Sequence, residues 1–227
     1  LFSGIGAIEH ALKRLKLKSK IVFAGDIDPH VKDAYFANYN ISQEDWHDDV
    51  TSFSAIKYRG KVDLLVGGSP CQSFSMAGRR GGMEDARGTL FYDFIRVVQE
   101  CNPKIFIFEN VRGVINHDGG YTWRVMKDIF TSLSNYSWTF KILNSADYGM
   151  PQSRNRLFVV GIRKVIKGLR NVNKPFLFPQ PIPLNKTMQD FLEDHIDSSY
   201  YIGEKGIKFV TKIQNQRKHY TQINGQI

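Results

Sequence analysis

The chain has 227 residues, with 31 Lys and Arg against 22 Asp and Glu, for a formal charge of +9. Hydrophobic residues make up 42% and aromatics 13%, too rich for a disordered chain, and no run of about 18 apolar residues is present to cross a bilayer. Two cysteines, Cys71 and Cys101, exclude a disulfide framework and a four-cysteine zinc site, and they fit a reducing cytoplasm. The length predicts one full domain and part of a second, and the charge points to a polyanion such as nucleic acid or anionic lipid.

The opening segment Leu1-Phe2-Ser3-Gly4-Ile5-Gly6-Ala7 reads as a strand end passing through a glycine loop into a helix over Ile8–Leu15. Because it begins inside an element, a few residues are expected upstream. A strand over Ile21–Ala24 is followed by Asp26, at the spacing of an acid that binds a ribose hydroxyl pair. Glu9 breaks the six-position dinucleotide fingerprint, so a nucleoside-type cofactor fits better than NAD. A helix over Val31–Tyr39 comes next. The acidic cluster Asp48-Asp49-Val50-Thr51 then precedes a strand over Leu64–Val66. Taken alone, that cluster is equally a solvated loop or a helix cap.

The central segment Gly67-Gly68-Ser69-Pro70-Cys71-Gln72-Ser73-Phe74-Ser75 places a cysteine just past a buried strand, at the ligand edge of an α/β sheet. A thiolate there is a strong nucleophile, and the polar sequel argues against burial. Cys101, at the end of a helix over Tyr92–Glu100, is the better candidate for packing. Between the two, Ala77–Gly88 is glycine-rich and basic through Arg79, Arg80 and Arg87, which suits closure over a phosphate backbone. Glu109 follows the apolar strand Ile105–Phe108 as a carboxylate that can act as an acid, cap a helix or join an ion pair. A helix over Trp123–Ser134 and a strand over Phe140–Leu143 lead to Arg154 and Arg156, which alternate into a strand over Leu157–Gly161. Alternation places both guanidinium forks on one face, suited to a phosphate or a base carbonyl.

Strands alternating with helices predict an α/β fold with a doubly wound, mostly parallel sheet. After about Arg163 the texture changes. Pro175, Pro179, Pro181 and Pro183 mark a linker, and one modest helix is expected over Thr187–Glu193. Residues 1–160 carry +3 and residues 161–227 carry +6, so most of the excess charge lies in the tail.

Taken in order, these segments resemble the DNA (cytosine-5)-methyltransferases, especially the bacterial restriction-modification type. The resemblance runs from Leu1 to about Arg163. It rests on Phe-x-Gly-x-Gly, Gly-Ser-Pro-Cys-Gln-Ser-Phe-Ser, Arg-Gly-Thr-Leu-Phe, Glu-Asn-Val and Gln-x-Arg-x-Arg. It implies a Rossmann-like methyltransferase domain over 1–165, followed over 166–227 by a linker and an incomplete target-recognition region. It also implies S-adenosylmethionine as methyl donor and a flipped-out cytosine in double-stranded DNA as substrate. By the same resemblance Phe2, Gly4, Gly6, Asp26, Ile27, Asp49, Val50, Pro70 and Leu90 line the cofactor. Cys71 is the nucleophile, Glu109 contacts cytosine N3, Arg156 holds O2 and Arg154 supports the site. Gln72, Ser75, Arg79, Arg80 and Arg87 meet DNA. The family needs no metal. The resemblance further implies a monomer acting at the nucleoid in the bacterial cytoplasm, with no membrane partner and with a cognate restriction endonuclease on the same site. The sequence departs from the family at Ala7, where a third glycine is frequent, and at Ile27, where an aromatic is frequent. Later family segments are not found before Ile227. Two other readings stay open: a tRNA cytosine-5 methyltransferase on the same domain, and a non-catalytic DNA-binding relative.

Overall fold

A computed structural model describes residues 1–70, 90–166 and 176–216. The chain comprises two compact units, Leu1–Asn185 and Lys186–Ile227. No described helix is long and apolar enough to cross a membrane.

The first unit is α/β, as expected. Helices α1 (Ala7–Arg14) and α2 (Pro29–Asn38) precede strand β1 (Leu64–Gly67). Helix α3 (Leu90–Cys101), strand β2 (Ile105–Val111), helix α4 (Tyr121–Ser132) and strands β3 (Tyr136–Asn144) and β4 (Asn155–Arg163) follow. The four strands lie in the order β1-β2-β4-β3. β1 and β2 are parallel, whereas β4 runs antiparallel to both β2 and β3. Among the described residues the sheet is therefore mixed, not mostly parallel. The reason is connection length: ten residues join β3 to β4, enough for a hairpin but not for a parallel crossover.

The expected strand Ile21–Ala24 is reduced to a single parallel bridge between Ala24 and Trp46. Ala24 exchanges two backbone bonds with Asp45 and His47, and a 3-10 turn at Gln43–Asp45 then takes the neighbouring chain away. Among the expected helices, Thr187–Glu193 shortens to one 3-10 turn, Met188–Phe191, closed by a capping box between Thr187 and Asp190. In the same second unit, α5 (Glu204–Gln216) forms where no helix is expected from the sequence.

The core positions the site. α3 buries Phe91, Phe94, Ile95, Val97, Val98 and Cys101 along one stripe, at the spacing a helix requires. Those rings meet Phe106 and Phe108 of β2 and Phe130 of α4. Each fully buried Phe contributes about 1.5–3 kcal/mol by area. β2 alternates strictly: Phe106, Phe108 and Asn110 are buried, while Ile105, Ile107 and Glu109 face a half-exposed side. That period delivers Glu109 to the open face while Asn110 stays in the core.

Candidate active site

The glycine loop and Asp26 meet as their spacing predicts. Gly4 donates its N–H to Asp26 Oδ2 at 3.0 Å, and Asp28 donates to Oδ1 at 3.2 Å. Ser3 and Gly25 are bonded twice, through Ser3 N–H to the Gly25 carbonyl and Gly25 N–H to Ser3 Oγ. Gly4 and Gly6 both adopt positive φ, 52° and 79°, the conformation that favours glycine. Phe2 shares it, at 53°. Gly6 is the N-cap of α1 with no side-chain cap, so the helix opens on bare N–H groups. Next to Asp26, Ile27 is 78% exposed.

The loop is also tied to the sheet. The Leu1 nitrogen donates to the Val66 carbonyl at 2.8 Å. A Cβ on Gly67 would come within 3.2 Å of the Leu1 side chain, and one on Gly68 within 2.9 Å of both the carbonyl oxygen and Oε2 of Glu109. The carboxyl end of β1 thus passes between the glycine loop and Glu109, with space for glycine alone at Gly68. Ser69 and Pro70 follow directly. Cys71, Gln72, Ser75, Arg79, Arg80 and Arg87 lie outside the described residues.

Glu109 Oε1 pairs with Arg156 Nε at 3.1 Å, in half-exposed surroundings. The register explains the pairing: Val111 stands opposite Arg156, which puts Glu109 two residues away on the neighbouring strand. Arg156 also donates to the Asn155 carbonyl at 2.9 Å. Arg154 precedes β4 and is exposed; its backbone N–H donates to Asn144 Oδ1 at 2.9 Å. Of the two arginines, Arg156 is the one brought to Glu109.

Asp49 accepts both the N–H and the hydroxyl of Thr51 on Oδ1, each at 2.8 Å, which holds its carboxyl below the usual range. It also lines an open cleft of about 480 Å³ together with Trp46, Phe53 and Lys57. Val50 and Leu90 are half-buried and Pro70 is exposed.

Two supports have no counterpart in the sequence reading. Asn110 Nδ2 donates to the Ser69 carbonyl at 3.0 Å, and its Oδ1 accepts the Val111 N–H at 2.8 Å. This buried amide pins the chain next to Cys71 to the end of β2. Arg96 on α3 donates to the Val50 and Phe53 carbonyls at 2.6 Å each, and it is braced by Asp93 at 3.0 Å and Glu100 at 3.1 Å. A polar residue in the buried phase of β2 was the available signal for Asn110. The i−3 and i+4 acids were the signal for Arg96.

Solved structures share this architecture. A DNMT2 variant from Spodoptera frugiperda superposes with a TM-score of 0.68 at 21% identity, over 92% of this chain and 63% of that one. A putative DNA modification methyltransferase from an Escherichia coli prophage gives 0.59 at 25% identity, over 86% and 55%. The fold is that of the S-adenosylmethionine-dependent methyltransferases. A family model of C-5 cytosine-specific DNA methylases matches residues 1–227, and the chain belongs to that family. Among relatives, the orphan methyltransferase M.SPRI of Bacillus phage SPR is 37% identical over 90% of this chain and 51% of its own length. The type II methyltransferase M.HhaI of Haemophilus parahaemolyticus is 36% identical over 85% and 55%. The chain spans about half the length of the curated relatives it matches.

Proposed function

We propose that the protein transfers a methyl group to C5 of a flipped-out cytosine in duplex DNA through a covalent bond between Cys71 and C6. The observation that carries this reading is the convergence at the carboxyl end of β1. The glycine loop with Asp26 lies on one side, Glu109 paired with Arg156 lies on the other, and Ser69-Pro70-Cys71 comes next in the chain.

The residues fit S-adenosylmethionine. Each Asp26 oxygen accepts one backbone N–H and keeps a lone pair for a ribose hydroxyl. A Cβ on Gly4 would meet nothing within 4 Å, so that side of the loop is open. Phe2, Ile27, Val50, Pro70 and Leu90 would supply apolar contact, Asp49 would accept from the adenine amino group, and the bare amides after Gly6 would face the methionyl carboxylate. When bound, the cofactor supplies an electrophilic sulfonium methyl to C5.

The chain's residues do the rest. The Cys71 thiolate adds to C6, which breaks the ring's aromaticity and places electron density on C5. Glu109 donates a proton or strong hydrogen bond at N3, and Arg156 neutralises charge at O2. Once C5 carries the methyl, a base removes the C5 proton, the C6–S bond breaks, and the thiolate leaves. The base must leave the duplex for this geometry. Gln72, Ser75, Arg79, Arg80 and Arg87 would close on the DNA, and Arg154 would sit at the rim of the site. Residues 1–165 form the proposed catalytic region and 166–227 the linker and the start of target recognition.

The protein is proposed to act as a monomer, in the bacterial cytoplasm. The type II names among its relatives support a cognate nuclease, whereas the phage relatives are named orphan methyltransferases. Transfer of labelled methyl from S-adenosylmethionine to duplex DNA, with tRNA as the parallel substrate, tests the reading. Label in duplex DNA alone is the expected result, and label in tRNA alone overturns it.

A further inference from the structure

The glycine loop is held from its outer side as well as from the side of Asp26. Positive φ at Phe2, a non-glycine residue, persists only where its surroundings fix it, and glycine at positions 4 and 6 leaves the rest of the loop free to take other conformations unless it is held. The bonds to Gly25 and Asp26 fix the first half. Tyr39 fixes the second. Its ring lies where a Gly6 side chain would be, so only glycine fits against it. Its hydroxyl donates to the Gly6 carbonyl at 2.7 Å, with the Ile5 carbonyl at 3.4 Å.

Tyr39 is itself anchored. It caps the C-terminus of α2 and packs on Tyr35 with ring centroids 4.8 Å apart. Tyr35 in turn donates its hydroxyl to Glu9 of α1 at 2.7 Å. One aromatic pair from α2 therefore holds both the loop and the helix that leaves it. The Gly6 carbonyl already accepts the His10 N–H at 3.0 Å, so the phenol is not needed to satisfy it. What the hydroxyl adds is orientation. The carbonyls it meets belong to the Ile5–Gly6 and Gly6–Ala7 peptide units, and the Ala7 N–H is among those at the start of α1 without an intrahelical partner.

We propose that Tyr39 is a positioning residue for the cofactor: its hydroxyl aims the Ile5–Ala7 peptide groups and so sets the affinity for S-adenosylmethionine, without touching the cofactor or the reacting atoms. This rests on the cofactor reading above. Tyr39→Phe keeps the ring and its packing and removes only the donor. The test is calorimetric titration of S-adenosylmethionine into the wild-type protein and the variant, with steady-state methylation of duplex DNA and thermal melting in parallel. Loss of one oriented hydrogen bond should weaken the cofactor Kd and raise its KM about fivefold. The kcat at saturating cofactor and the KM for DNA should stay unchanged, and the melting midpoint should fall by no more than the loss of one hydrogen bond accounts for. An unaltered cofactor Kd in the folded variant overturns the proposal. A fall in melting midpoint, kcat and both KM values together also overturns it, by making Tyr39 a purely structural residue. If the wild-type protein binds no S-adenosylmethionine, the cofactor reading itself fails and takes this inference with it.

Discussion

Glu109 and Arg156 meet at 3.1 Å because β2 and β4 are registered antiparallel. Half-exposed as it is, the pair adds little to stability, so its value lies in holding a carboxyl and a guanidinium at one point. Replacing Glu109 with Gln keeps the shape and removes the acid. The single-turnover methylation rate should fall by about 10²–10⁴, the range for a lost general acid, with DNA affinity changed only severalfold. A large affinity loss with an unchanged rate would contradict the acid role. Asn110 acts differently. Its amide is buried against the Ser69 carbonyl, and Asn110→Ala strands that acceptor. Urea unfolding should show a loss of about 1–3 kcal/mol. Glu109 was legible in the sequence because a carboxylate ending an apolar run stands out. The role of Asn110 was not, because its partner is a backbone carbonyl 41 residues away. The arginine pair was half legible. Alternation pointed to one face, but β4 starts at Asn155, and that boundary leaves Arg154 outside the ladder.

Helices α1 to α4 lie within two residues of their expected ends, with a buried apolar stripe on α3 and α4 but not on α1 or α2. Strand pairing was harder. Ile21–Ala24 has strand composition, yet a strand also needs a neighbour that stays alongside, and Asp45–His47 does so for a single bridge. The direction of β4 depends on the ten-residue hairpin connection, a signal that composition does not carry. The Asp45–His47 segment also gives the unit a pH dependence. His47 stacks on Phe53 with ring centroids 4.1 Å apart, and burial holds its pKa below the usual histidine value. The unfolded chain then binds the proton more readily than the folded one. Stability is complete above the unfolded histidine pKa, about 6.5, and is lost as pH falls through it. The urea midpoint should drop between about pH 7 and pH 5, and His47→Gln should flatten that slope. Equal slopes for the two proteins would remove His47 from this account.

At the scale of the whole molecule, the charge of +9 divides unevenly, with +3 over residues 1–160 and +6 over residues 161–227. The first unit concentrates the glycine loop, Glu109 and Arg156 at one edge of its sheet, and it carries +8 of the charge against +1 for the second unit. The central claim is the bond between Cys71 and cytosine C6, and trapping tests it most directly. The full-length protein is incubated with S-adenosylmethionine and a random-sequence duplex pool carrying 5-fluorocytosine. Fluorine at C5 cannot leave as a proton does, so an enzyme of this mechanism stays attached. The account predicts a denaturation-resistant protein–DNA adduct that maps to Cys71 and is lost in Cys71→Ala, while that variant still binds S-adenosylmethionine. No adduct with the wild-type protein, or an adduct that survives Cys71→Ala, would contradict it.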